Sequence, residues 1–520
     1  MRIFLAMLAA VLLPSAARAE WHEASSAHFV VYADDSERDI RKFSEQLERY
    51  HEAMAVITQR TLPPPSPSNR VTVYVVRNAA AVQRLMGTDE RAIRGFYLPR
   101  AGGSVAFVPQ VDARTGQPDL SMTVLLHEYA HHFLISNSGF PDPRWVAEGA
   151  AEFFASVKFN GDGGLNIGMP NAIRYGELNF AGDVTAEDLI DPKLYESRRG
   201  RRYDMFYGKS WLLYHYLTME PARRGQLRGY LQAMRAGKSS REAAETVFGD
   251  LAQLERELDR YQDRREILGL VFQPNQLDTP QVAVRALSAG EAAMMPVQIR
   301  SKRGVTREQA SELVVEARTI AARYPGDPAV LAALAEAEHD AGNEAEAIAA
   351  ADAALALDPN RVNAYVQKGF ALFALAAEAE DRDAAYRAAR EPFLALNRIE
   401  NDHPLPLIFY NRSFAERGVQ PPENAAHALE RAAELAPFDI SLRLNLAIQQ
   451  LREGQLEQAR TNFLPIAYNP HGGELADGAR TVIERIDGGT PPDGRELQLI
   501  LAGGAAQAVS AGAAEGADGS

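Results

Sequence analysis

From about residue 305 to 470 the chain repeats itself with a period of 34 residues. Tyr324-Pro325 returns as Asp358-Pro359, Leu331 as Tyr365, and Ala335 as Gly369. Ala335, Gly342 and Ala347 are spaced by 7 and 5, and Ala447, Gly454 and Ala459 reproduce that spacing. The stretch is alanine-rich with helical periodicity, so each period reads as a pair of helices. Small residues are needed where two helices cross closely, because a large side chain forces them apart. The proline stops the second helix of each pair. A helix pair cannot bury its apolar face alone and must stack on neighbours, which commits this half to an all-α solenoid. The pattern loosens in the middle, with Asp381 where alanine is expected and Gln420-Pro421-Pro422 interrupting the third pair.

This repeat resembles the tetratricopeptide repeat, whose period is 34. An array of that kind presents an extended surface, so the resemblance implies a protein partner bound through the repeats. The chain beyond it, 471–520, reads as a C-terminal helix followed by a disordered tail in which 501–520 are mostly Ala and Gly.

The first half is patterned differently. Residues 1–19 have the form of an export signal: Arg2, the apolar run Ile3 to Leu13, then small residues ending Ala17-Arg18-Ala19, with cleavage expected after Ala19. The apolar run is shorter than the roughly 20 residues a membrane-spanning helix needs. Of 55 basic and 69 acidic residues only Arg2 and Arg18 lie in that segment, so the mature chain carries 53 − 69 = −16. A sequence pI of 5.4 argues against nucleic acid as a partner. No other segment reads as membrane-spanning, and the mature protein is expected in the periplasm or outside the cell. There is no cysteine, which excludes disulfides, lipidation at cysteine and thiolate zinc sites, and leaves His, Asp and Glu as possible ligands.

From 20 to 265 strand patterns come first (His28–Tyr32, Val71–Val76, and a hairpin of 95–98 with 104–108), alternating with helices at 37–57 and 80–85. From Met122 to about Arg264 the chain reads as mostly helical, which makes this an α+β domain. Residues 266–304 read as a connector, with strand-like stretches at Gln281–Leu287 and Pro296–Arg300.

His127-Glu128-Tyr129-Ala130-His131 is the most informative segment. On a helix, residues i and i+4 share a face, so both imidazoles can reach one cation while Glu128 points at an adjoining position. The helix is expected to stop at Ser136-Asn137-Ser138-Gly139, with Asp142 capping a second helix that opens on Pro143. Folded back antiparallel, that helix brings Glu148, 17 positions after His131, to supply a third ligand. Glu152, one turn on, can accept from a ligand histidine, or form an ordinary ion pair.

His127-Glu128-x-x-His131 with Trp145-x-x-Glu148-Gly149-x-Ala151 resembles the gluzincin zinc metallopeptidases. The resemblance covers 20–265 and implies a zincin-like fold, one Zn²⁺ per chain held by His127, His131 and Glu148, Glu128 as general base, and Glu152 orienting a histidine. Tyr207-Gly208-Lys209-Ser210-Trp211 is similar to the Y-x-K-G-aromatic helix start of the aminopeptidase branch, which makes Tyr207 an oxyanion donor, with His215 as the alternative. Tyr207 also falls on an apolar face with Phe206, Trp211, Tyr214 and Leu217, where it reads as a core aromatic. That branch carries a G-x-M-E-N strand whose glutamate binds a free amino terminus. The hairpin here, Ala101 to Val108, has no acid. The implied activity is therefore an exported zinc endopeptidase acting on peptide or protein, the hairpin pairing with extended substrate. The alternative is a non-catalytic adaptor whose repeats bind partners and whose zinc domain is structural.

Overall fold

The computed structural model describes residues 20–60, 63–87, 94–111, 113–138, 141–200, 202–469 and 472–501. The expected export segment 1–19, and the Ala/Gly-rich tail beyond Leu501, lie outside the described residues. β1 (Trp21–Ser25) and β2 (Phe29–Asp34) form an antiparallel hairpin with Trp21 opposite Asp34. α1 (Glu37–Thr58) starts where the Ser36 side chain accepts from the Asp39 amide, and it buries Ile40, Phe43, Leu47, Tyr50 and Met54 along one stripe. After this helical crossover β3 (Val71–Val75) lies parallel to β2. α2 (Ala79–Met86), β4 (Phe96–Leu98) and β5 (Val105–Val108) follow. β4 and β5 form an antiparallel hairpin with Phe96 opposite Phe107, and β5 adds parallel to β3.

α3 (Leu120–Asn137) and α4 (Arg144–Ala155) come next. The region beyond them is less uniformly helical than its sequence reads. β6 (Val157–Phe159) and β7 (Leu165–Ile167) make a small hairpin before α5 (Ala172–Phe180), α6 (Ala186–Ile190), α7 (Pro192–Arg198) and α8 (Phe206–Met219). α9 (Gln226–Arg235), α10 (Ser240–Val247) and α11 (Leu251–Gln262) follow.

Residues 266–304 are not a simple connector. β8 (Leu270–Phe272) pairs with β7, and β9 (Ala283–Ala286) pairs with β1 to close a six-stranded mixed sheet of order β4-β5-β3-β2-β1-β9. Pro296–Arg300, strand-like in sequence, lies within α12 (Ala289–Arg303). Ser288 and Glu291 form a reciprocal cap that starts this helix, and Met294, Met295, Val297 and Ile299 are buried along it, so helical packing overrides the local strand pattern.

The repeats are α13 (Arg307–Ala321), α14 (Pro328–Asp340), α15 (Glu344–Leu357), α16 (Val362–Glu378) and α17 (Arg382–Ile399). They continue as α18 (Pro404–Ala415), α19 (Glu423–Leu435), α20 (Ile440–Arg452), α21 (Leu456–Ala467) and α22 (Gly473–Asp487). Each helix packs on the next, and α14 also packs on α12 and α16, so the stack is a helical-repeat solenoid. The small residues divide into two kinds. Ala335, Ala347, Ala447 and Ala459 are fully buried where helices cross, and a Cβ on Gly369 would lie 2.5 Å from the Phe393 ring. Gly342 and Gly454 are instead left-handed turn residues between helices, at φ +77° and +76°. Their recurrence at one spacing therefore reflects a turn rather than a crossing.

α4 packs against both α3 and α8. Gly149 permits the second contact: a Cβ there would lie 2.4 Å from the Ser210 carbonyl oxygen and 2.9 Å from Tyr214 Cβ. Because the obstruction is backbone, Gly149→Ala is expected to cost about 1–3 kcal/mol, the usual range for overpacking. Chemical denaturation of the two proteins checks this, and an unchanged midpoint would show that α4 and α8 separate freely.

Candidate metal centre

α3 begins on Asp119, whose carboxylate accepts from the Met122 amide at 2.9 Å. Its buried side carries Leu125, Leu126, Tyr129 and Phe133, and Tyr50 of α1 donates its hydroxyl to the Leu126 carbonyl at 3.0 Å. His127, Glu128 and His131 are thereby left half-buried, turned from that core. α4 starts one residue later than expected. Pro143 is its capping residue, its carbonyl accepting from Val146 and Ala147, and Asp142 makes no cap. Asp142 is half-buried instead, and the loss of water around it raises its carboxyl to about 6.

The antiparallel pair brings three donors to one point. His127 Nε2 and His131 Nε2 are 3.1 Å apart, and each lies 3.5 Å from Glu148 Oε2. Ligands held at 2.0–2.2 Å around a tetrahedral centre lie roughly 3.3–3.6 Å from one another, so the spacing fits a zinc-sized ion. Among the described residues this is the one group of three or more His, Cys, Asp or Glu donors so placed. Glu152 accepts from His127 Nδ1 at 3.0 Å, which fixes that tautomer and leaves Nε2 facing Glu148.

The electrostatics favour positive charge here. Burial works against a proton on His127, but Glu152 and Glu148 outweigh it and raise its pKa to about 10. Burial would likewise raise Glu152, yet Arg174, Nη2 to Oε1 at 2.7 Å, and His127 hold it at about 2. Arg174 also bonds Glu177 and lies over the Tyr207 ring, its guanidinium carbon 5.0 Å from the centroid. Glu177 accepts from Tyr203 and, at 2.9 Å, from the Gly208 amide at the start of α8.

Sequence reasoning missed Arg174, Glu177 and Tyr203. Arg174 and Glu177 stand at i and i+3 on α5, a spacing that reads as an ordinary surface pair, although both are buried.

Glu128 directly follows His127 on α3, and its carboxylate has no hydrogen bond or ion pair with any described residue. Tyr207 is 8% exposed, and burial followed by the nearby Glu148 raises its hydroxyl well above the usual range. It therefore belongs both to the core and to the edge of the site. His215 is not an alternative donor. Its Nδ1 meets the Tyr261 hydroxyl and its Nε2 the Gly168 carbonyl, both at 2.9 Å, and burial lowers it to about 4. His28, stacked on His51 at 3.6 Å between ring centroids, pairs with Glu48, and His51 meets the Tyr129 hydroxyl. Neither joins the metal group. The hairpin strand expected to pair with substrate, β5, lies between β3 and β4, so the edge next to α3 is β4.

Comparison with known proteins adds a family model described as "Protein of unknown function (DUF1570)", which matches residues 121–237 and so spans α3, α4 and α8. No curated protein matches the chain. Among solved structures, a thermophilic TPR protein of Thermus thermophilus is 19% identical, the match covering 36% of this chain and 95% of that one with a TM-score of 0.31. MamA from Desulfovibrio magneticus is 19% identical over 34% of this chain and 93% of that one, with a TM-score of 0.26. A further MamA structure is 14% identical over 38% of this chain and 99% of that one, with a TM-score of 0.27.

Proposed function

We propose that the chain is an exported zinc metallopeptidase of gluzincin type, an endopeptidase, whose zincin-like domain is joined to tetratricopeptide-like repeats that recruit a substrate or partner protein. The observation that carries this reading is the convergence of His127, His131 and Glu148 within 3.1–3.5 Å, beside a carboxylate, Glu128, that no described residue engages. A purely structural zinc site would need four protein ligands and no neighbouring base.

Zinc bound by these three residues would polarise the scissile carbonyl and bring the pKa of water toward about 7. Glu128 accepts the proton from the attacking water, and returns it to the amine as the C–N bond breaks. Tyr207 donates to the oxygen on which negative charge develops. Glu152 keeps His127 Nδ1 protonated, and Arg174 keeps Glu152 ionised. β4, as the edge strand beside α3, offers main-chain donors and acceptors to an extended peptide. β5 carries no acid to hold a free amino terminus, which favours cleavage within chains. A mature protein in the periplasm or outside the cell accords with the sequence of 1–19, and no described helix is long and apolar enough to cross a membrane.

The second reading is an adaptor, in which the repeats bind protein and the zinc domain only supports them. The near-complete burial of Tyr207 favours it, since a tyrosine packed in the core needs no catalytic role to account for its place.

Glu128→Gln separates the two. With unfolded casein as substrate, turnover is expected to fall at least about 100-fold, the scale of a general base, with zinc retained. Equal turnover by the metal-loaded variant would remove Glu128 from the mechanism, and no turnover by either protein would favour the adaptor. Glu152→Gln, which takes away the charge that orients His127, is expected to weaken zinc binding by about 10–100-fold. Competition with a chromogenic chelator measures it, and unchanged affinity would reduce Glu152 to an ion-pair partner of Arg174.

A further inference from the structure

The turn between β4 and β5 is only partly open to solvent: Arg100 is exposed, Ala101, Gly102 and Gly103 are half-buried, and the repeat array holds all but Gly103 by direct contacts. Arg100 donates from Nη1 to the Lys302 carbonyl at 2.8 Å and from Nη2 to the Arg303 carbonyl at 3.3 Å, at the electronegative C-terminus of α12. Glu336 and Asp340 of α14, and Asp439 just before α20, are the carboxylates around it. The Ala101 amide donates to Asp439 Oδ2 at 2.9 Å, while the other oxygen of Asp439 caps α20. Gly102, at φ +73°, lies so close to α18 that a Cβ would be 2.8 Å from His403 Cε1 and 3.0 Å from Leu405 Cγ. Its amide donates to Asn69 Oδ1, and Asn69 Nδ2 donates to the Leu435 carbonyl at the end of α19.

An arginine on the carbonyls of a helix end, a main-chain amide on a carboxylate, and a glycine where no side chain fits are the contacts by which a groove recognises a peptide. Here they are made by the protein's own chain. We propose that Arg100-Ala101-Gly102-Gly103 is a built-in ligand of the repeat array, holding the surface that a partner bearing a basic residue followed by small ones takes by displacing it.

Displacement reaches the other half of the molecule. The turn leads into β4, whose Tyr97 hydroxyl is 2.6 Å from His132 Nδ1, and His132 follows His131 on α3. The Phe438 ring, beside Asp439, lies 4.3 Å from the His132 ring. Occupancy of the groove and the setting of α3 are thus joined through one short strand. The proposal concerns the array and its turn, and does not depend on metal being bound.

The test uses the full mature chain and a fluorescent peptide copying residues 97–106. In Gly102→Asn, asparagine tolerates positive φ but its Cβ collides with His403, so the turn is expelled with little backbone strain. If the docked turn is populated nine parts in ten, expelling it raises the apparent affinity for the probe about tenfold. Hydrogen exchange of 97–108 is expected to speed up in the same variant, and a probe with glutamate in place of the arginine is expected not to bind. Equal binding of the probe to both proteins, or binding to neither while exchange shows the turn released, overturns the proposal. Should Gly102→Asn not fold, Arg100→Glu expels the turn by repulsion from Glu336, Asp340 and Asp439, and the same outcomes apply.

Discussion

Two buried carboxylates facing one imidazole set the terms for the first half of this protein. Glu148 and Glu152 stand one turn apart on α4, 0% and 3% exposed, and both reach His127. Removing such charges from water costs several kcal/mol each unless opposite charge is supplied. Arg174 supplies it for Glu152 through a direct ion pair. At Glu148 the histidines contribute positive charge, as a proton on His127 or as a cation that replaces it. The apolar faces of α3 and α4 pack into one core and so bring these groups together, and Gly149 lets α8 close over them with Tyr207 at its start.

How far this was legible depended on the range over which each interaction acts. His127, His131, Glu148 and Glu152 could be placed because helical periodicity and one tight turn settle their relation, and these act over a few residues. The pairing of β9 with β1 could not, since about 260 residues separate the strands and a four-residue strand such as Ala283–Ala286 looks like any short alternation. Pro296 misled for a related reason, because a cap eight residues earlier had already committed the chain to helix. Arg174 was missed because no local pattern distinguishes a buried i, i+3 ion pair from a solvated one. Asp142 was misplaced by a single residue, as Pro143 itself adopts the capping conformation.

The repeats were legible as a stack but not as a neighbour. Their period follows from contacts between successive helices, and those are written into each unit. What the array touches outside itself is decided by single residues, such as Gly102 against His403 and Phe438 against His132, which carry no periodic signal. The two halves are accordingly more closely joined than a recruiting arm on a catalytic domain. The array holds the turn beside the strand that borders α3.

The most direct test of this account is the metal content of the purified mature chain, measured by elemental mass spectrometry beside a His127→Ala/His131→Ala double variant. The account predicts about one zinc per chain, the stoichiometry of a single three-ligand centre, and none in the double variant. A chain that holds no tightly bound metal even after zinc is offered contradicts it, because the convergence of His127, His131 and Glu148 would then serve packing alone.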